Sequence, residues 1–234
     1  KIGRYPVTFQ AAGGTTIEKS IFVVNQPFVK NEKANEAIMA FNFFKTVDEI
    51  LEMFERNRSF YKTGGITATG GEPMAQMEFL IELFSKAKAM GVHTCLDTSG
   101  FLFQEGERLE RLMAVTDLVM LDIKHIDEDA HVDLTGCSNY NILEFARYLD
   151  KIKKPVWIRH VVVPGITFEE ESLKQFGQFL KTLSNVEKLE VLPYHTLGEN
   201  KYEKLGMEYP LKGVPQLTKE EAKRAEEIIL CRTC

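Results

Sequence analysis

Polar residues gather where short apolar runs end, and the sharpest group is Thr69-Gly70-Gly71-Glu72-Pro73. Two glycines let a backbone approach a ligand closely, and a carboxylate after them can accept hydrogen bonds from an ammonium group. Taken alone, a Gly-Gly pair at a strand end is equally an ordinary tight turn. Its company adds weight. Asp97-Thr98 ends the run His93-Thr94-Cys95-Leu96, Asp122 and Lys124 end Met120-Leu121-Asp122-Ile123-Lys124, Arg159 and His160 lie in a fourth such run, and Tyr194-His195 end a fifth. A single buried Asp or Lys is more often a paired structural charge, but five run ends that each carry such a group argue for a shared ligand.

Such groups need elements to hold them. From about residue 46, short β-branched runs alternate with amphipathic stretches, the pattern of repeated βα units around a parallel sheet. The spacing predicts strands at Ile17–Val24, Gly65–Thr69, His93–Thr98, Asp117–Ile123, Val156–Val163 and Lys188–Leu192. Helices are predicted at about 46–59, 76–90, 106–115, 139–152, 169–184 and 218–230. Thr46-Val47-Asp48-Glu49 has the form of a capped helix start, and Thr218 precedes Glu220 and Glu221, where the helix dipole favours acids. Leu118-Val119-Met120-Leu121 is apolar without alternation, as in strands covered on both faces. Six strands make an α/β fold of the partial (β/α)6 TIM-like barrel kind, with the strand-end groups facing one mouth. No repeat or linker divides the chain, so residues 1–234 are expected to form a single domain. Residues 25–45 show neither period and are expected as a long loop after the first strand, on the ligand-binding face.

Composition narrows the class. The 234 residues carry 29 Lys+Arg against 34 Asp+Glu, a net charge of -5, so the basic surface of a nucleic-acid binder is not expected. No apolar run of roughly 18 residues is present to span a bilayer, and Lys1 to Phe9 lacks a signal-peptide core, which points to a cytoplasmic protein without a membrane partner. Cys95, Cys137, Cys231 and Cys234 are too scattered for a disulfide framework. Cys95 reads as core. Cys231-x2-Cys234 has the spacing of a metal knuckle or redox pair but supplies two ligands at most. His93, His125 and His131 show no metal-ligand spacing, Trp157 is expected in the core, and Glu169-Glu170-Glu171 is expected to open a helix.

Gly65-Ile66-Thr67 with Thr69-Gly70-Gly71-Glu72, His93–Thr98, Val115–Lys124, Pro155–Gly165 and Leu192–His195 together resemble the pyruvate formate-lyase activating enzymes, of the radical S-adenosylmethionine type. The resemblance runs from about Thr46 to Gly213. It implies an enzyme whose 4Fe-4S cluster, held by three cysteines, binds S-adenosylmethionine at an open iron. The 5'-deoxyadenosyl radical formed there takes a hydrogen from a glycine of the partner. By the same resemblance Gly70, Gly71 and Glu72 hold the methionine amino group and Lys124 its carboxylate, and Asp97, Thr98 and Asp122 form a monovalent cation site beside it. Arg159 and His195 become further cofactor contacts, the partner is the glycyl radical loop of pyruvate formate-lyase, and the chain is expected to be a monomer.

One part of the family's pattern differs. Its C-x3-C-x2-C motif follows the first strand, because thiolates hold such a cluster. Aligning Gly14–Ile17 on the family's turn before that strand puts Gln26, Lys30 and Lys33 at the cysteine positions. A protonated lysine has no lone pair for iron, and an amide is no substitute for a thiolate. Three readings follow: an activase homologue that works if its cluster is present, a catalytically inactive homologue that binds S-adenosylmethionine or the partner peptide without radical chemistry, or a chain altered over residues 1–45 by engineering or error.

Overall fold

The computed structural model describes residues 2–10, 16–24, 45–60, 64–196, 208–209 and 211–231, the first two segments as backbone alone. Gln26, Lys30, Lys33 and Cys234 lie outside the described residues, as does nearly all of the loop expected over 25–45. The chain divides into two compact units, Lys1–Met120 and Leu121–Cys234.

In the first unit β1 (Ile2–Gln10) and β2 (Thr16–Val24) form an antiparallel hairpin, with Ile2 opposite Val24 and Gln10 opposite Thr16. β1 also pairs antiparallel with β3 (Gly65–Ala68), and β3 pairs parallel with β4 (His93–Thr98). With β5 (Leu118–Asp122) the order is β2-β1-β3-β4-β5. β1 is a strand that the sequence pattern does not predict, because Pro6 sits in its middle and a proline demotes a run from strand status. It also takes the place beside β3, leaving β2 at the sheet edge.

Among the described residues of this unit the α-helices are α1 (Val47–Arg56), α2 (Met77–Ala89) and α3 (Glu107–Ala114). The expected cap on α1 is a full capping box. The Thr46 hydroxyl accepts from the Glu49 amide at 3.2 Å, and the Glu49 carboxylate accepts from the Thr46 amide at 2.8 Å. Val47, Ile50, Leu51 and Phe54 form its buried stripe, while Leu80, Leu83 and Phe84 of α2 and Leu109 and Leu112 of α3 fill the same core. Cys95 is buried on β4, as expected. The start of β3 has no room for a side chain, since a Cβ at Gly65 would strike the His93 backbone carbonyl opposite it. At the far side of β4, Asp117 accepts from the Thr94 amide and hydroxyl and from Lys88, which fastens the start of β5 to β4.

Among the described residues of the second unit the elements are α4 (Glu128–Thr135), α5 (Tyr140–Lys151), β6 (Val156–Val162), α6 (Glu170–Lys181), β7 (Val186–Pro193) and α7 (Lys219–Ile229). β6 and β7 run parallel, with Arg159 opposite Glu190. Side chains of β6 alternate, so Val156, Ile158, His160 and Val162 are buried while Trp157, Arg159 and Val161 are only half-buried. Trp157 is therefore not a core residue. It lies on the Arg159 face with the Lys188 ammonium 4.5 Å above its ring. Helix α4 has no counterpart among the predicted helices. It is capped by Asp127 and ended by Gly136 at φ 74°, but it buries only His131 and so lacks an apolar stripe to read. The acids at the start of α6 open the helix as expected, with Glu170 2.7 Å from Lys174. A Thr218–Glu221 capping box starts α7. Among the described residues no helix is long and apolar enough to cross a membrane.

Helices α6 and α7 meet at Gly177, where a Cβ would collide with the Ile229 backbone carbonyl. Alanine in a helix interior gains about 0.5–1 kcal/mol over glycine, whereas overpacking a core typically loses about 1–3 kcal/mol. The struck atom is backbone and has little freedom to move aside, so the loss wins. Gly177→Ala is expected to destabilise the protein by about 1–2 kcal/mol in urea unfolding. A variant at least as stable as wild type would show that the helices do not approach this closely.

Candidate functional site

The first unit's polar residues collect at the ends of β3 and β4. After Ala68 the chain turns through Thr69, Gly70 and Gly71, and Gly70 has φ 109°, which strains any residue with a side chain. Glu72 then caps a short 3-10 turn, Pro73–Gln76, by accepting from the Met74 amide at 3.0 Å. The same carboxylate accepts from the Thr98 hydroxyl at 2.5 Å, the Ser99 amide at 3.1 Å and the Ser99 hydroxyl at 2.5 Å. Beside it the Thr69 hydroxyl donates to Asp97 at 2.6 Å. Gly70, Gly71, Glu72, Asp97 and Thr98 are thus brought together as a group. Ser99 belongs to it too, although Ser-Gly after a strand reads only as a turn and gave no signal of its own.

In the second unit Asp122 and Lys124 form an ion pair at the end of β5. Asp122 Oδ1 is buried and finds no hydrogen-bond partner among the described residues. On β6 the Arg159 Nε stands 3.7 Å from the Glu190 carboxylate of β7, which Lys188 also contacts. Glu190 escaped the sequence analysis because its meeting with Arg159 depends on strand register. His195 is exposed just after β7. Its neighbour Tyr194 is buried, donates its amide to the Val162 carbonyl at 3.0 Å and places its hydroxyl 2.9 Å from that of Tyr209, which anchors the chain where His195 emerges.

His160 parts company with Arg159. It points to the opposite face of β6, is 3% exposed and packs with its ring centroid 4.9 Å from that of Phe176, tilted by 41°. Its Nδ1 lies 2.8 Å from the Ile123 carbonyl, and its Nε2 is buried without a partner among the described residues. Burial pushes the imidazole below its ordinary pKa, a shift that the Ile123 carbonyl and the Asp122 charge only partly offset. Arg159 and His160, expected to serve one mouth together, therefore lie on opposite faces of β6.

For metals, no group of three or more His, Cys, Asp or Glu side chains gathers among the described residues. Cys95 is buried in the first unit, whereas Cys137 is half-buried and Cys231 exposed in the second, with the Cys231 sulfur 3.2 Å from Lys181 Nζ.

Comparison with known proteins extends these observations. The radical SAM superfamily pattern matches residues 39–177, a stretch that begins after Lys33. A pyruvate formate-lyase-activating enzyme of Streptococcus mutans is 47% identical over 210 residues, 88% of this chain and 77% of that protein. A protein of the same name from Staphylococcus epidermidis is 47% identical over 186 residues, 77% of this chain and 74% of that one. Among solved structures, a domain of a pyruvate-formate lyase-activating enzyme from Bacteroides vulgatus superposes with a TM-score of 0.59 at 26% identity, covering 71% of this chain and 92% of that chain. These likenesses bear out the α/β class and the partial barrel.

The buried imidazole makes stability depend on pH. His160 is held neutral in the folded protein, whereas in the unfolded chain it takes up a proton below about pH 6.5. The unfolded state then binds more protons, so stability is full above that pH and falls as the pH drops, by up to about 1.4 kcal/mol per pH unit for one proton. Urea unfolding between pH 7.5 and 5 is expected to show a shallower decline for His160→Asn than for wild type. Equal slopes would remove His160 as the cause.

Proposed function

Because the chain belongs to the radical SAM superfamily and, within it, to the pyruvate formate-lyase-activating enzymes, we propose that it is an activase homologue that binds S-adenosylmethionine and docks the glycyl radical loop of a pyruvate formate-lyase. The observation that carries this reading is 47% identity across 88% of the chain to an enzyme of that name. The local chemistry of each unit supports it. In the first, the Gly70–Gly71 turn opens a backbone cradle that a Cβ would strain, beside the carboxylates of Glu72 and Asp97. We assign Gly70, Gly71 and Glu72 to the methionyl ammonium end. In the second, Lys124 offers a cation for the methionyl carboxylate, and the unpartnered buried Oδ1 of Asp122 is the kind of acceptor that a monovalent cation satisfies. By the family likeness Asp97 and Thr98 are also assigned to monovalent-cation binding, and Arg159 and His195 to further cofactor contacts. S-adenosylmethionine supplies a sulfonium and an amino acid head group for such residues to recognise.

The cluster does not fit the residues present. Gln26, Lys30 and Lys33 bring an amide and two ammonium groups to the positions where the family has thiolates. Elsewhere Cys95 is buried in the β4 core, and among the described residues, which include Cys137 and Cys231, no three His, Cys, Asp or Glu side chains gather to hold a metal. No radical step is therefore derived for this chain. The reading favoured is activase architecture with a replaced cluster loop, which retains cofactor and partner binding without radical chemistry.

Two measurements test this reading. Anaerobic reconstitution with iron and sulfide is expected to leave the unmodified chain without the broad visible absorbance of a cluster, while the triple variant Gln26→Cys, Lys30→Cys, Lys33→Cys takes up iron. A cluster on the unmodified chain would overturn the replaced-loop reading. Calorimetric titration with S-adenosylmethionine is expected to show weak binding that Lys124→Ala lowers on the order of tenfold, the loss of one hydrogen bond to a charged group. Binding indifferent to that change would remove Lys124 from the cofactor site.

A further inference from the structure

We propose that His160 and Asn139 are positioning residues, two buried side chains that grip the backbone on either side of Lys124 and so fix where its ammonium can reach. The inference rests on the S-adenosylmethionine reading above, in which Lys124 meets the methionyl carboxylate. It begins where β5 ends. Burial alternates from Leu121 to His125, so Asp122 and Lys124 share the more open side while Leu121, Ile123 and His125 are buried. The Ile123 amide still donates to the Arg159 carbonyl of β6 at 3.0 Å, but β5 itself stops at Asp122. Beyond that point main-chain carbonyls are held by side chains.

His160 takes the first of them. Its Nδ1 lies 2.8 Å from the Ile123 carbonyl, and because a carbonyl only accepts, Nδ1 is the nitrogen that donates. Asn139, buried at the start of α5, takes the next two. Its Nδ2 donates to the His125 carbonyl at 3.1 Å and to the Ile126 carbonyl at 2.7 Å, which uses both amide hydrogens. The Asp127 amide closes the turn by donating to His125 Nδ1 at 3.1 Å. Lys124 therefore sits between two clamped peptide groups. Buried carbonyls need partners in any fold, but these partners fall on both sides of the one lysine assigned to the cofactor. A lysine ammonium rides on a flexible four-carbon stem, so the backbone that carries it is what a protein can hold still. His160 lies on the buried side of β6, opposite Arg159, and so acts through the Ile123 peptide.

The test is calorimetric titration of the full chain and its variants with S-adenosylmethionine, and with 5'-methylthioadenosine, which lacks the amino acid head group. His160→Phe, which keeps a ring beside Phe176 but loses the donor, is expected to weaken S-adenosylmethionine binding about 3- to 10-fold, the effect of one hydrogen bond, and to leave methylthioadenosine unchanged. His160→Asn, whose side-chain amide can donate from near the Nδ1 position, is expected to bind as wild type. Asn139→Ala removes the second clamp without touching β6, and the same selective loss is expected there, so the proposal is decided even where His160→Phe fails to fold. Because both clamps act through Lys124, adding either change to Lys124→Ala is expected to weaken binding no further than Lys124→Ala alone. Losses that add to that of Lys124→Ala, or that fall equally on both ligands, would reduce the clamps to general structural support and overturn the positioning role. Unchanged affinity in both His160→Phe and Asn139→Ala would overturn it as well. Wild-type protein that binds no S-adenosylmethionine would remove the functional reading, and the inference with it.

Discussion

The register of β3 on β4 sets the geometry of everything at the first unit's strand ends. It begins at Gly65, where the backbones come so close that no side chain fits against the His93 carbonyl, and it runs pair by pair to Ala68 opposite Leu96. One step further brings Thr69 beside Asp97, and the turn that follows returns Glu72 to the end of β4. A slip of one residue would reverse every side chain on β3 between its two faces and part these pairs at once. The group is therefore a property of strand alignment before it is a property of any single residue.

The same two-residue period organises the second unit. On β6 it sends His160 inward to the Ile123 carbonyl and the Phe176 ring, and Arg159 outward to Glu190. Neighbours in the chain thus live in opposite electrostatic surroundings. Burial keeps one neutral, while a carboxylate across the strand pair accompanies the charge of the other. Tyr194 repeats the division at the end of β7, where its own burial leaves His195 exposed.

How much of this was legible in the sequence follows from how local each signal is. α1 and α7 announce themselves, because Thr46 with Glu49 and Thr218 with Glu221 are caps written within four residues and followed by apolar stripes. The Gly70-Gly71-Glu72 turn and Asp97-Thr98 were readable from type and position. Relations across the fold were not. Glu190 meets Arg159 only through the β6–β7 register, and Ser99 matters only because Glu72 comes back to it. α4 carries one buried residue where a stripe was needed, and β1 hides behind Pro6. Trp157 misled for another reason: its size favours the core, but its place in the β6 alternation assigns it to the less buried face.

That displacement of the protein's one tryptophan has an optical consequence. An indole on β6, half-covered and capped by the Lys188 ammonium of the neighbouring strand, experiences a cation's field only while β6 and β7 stay paired. Its emission is consequently a built-in reporter on the seam between those two strands, and it needs no attached dye.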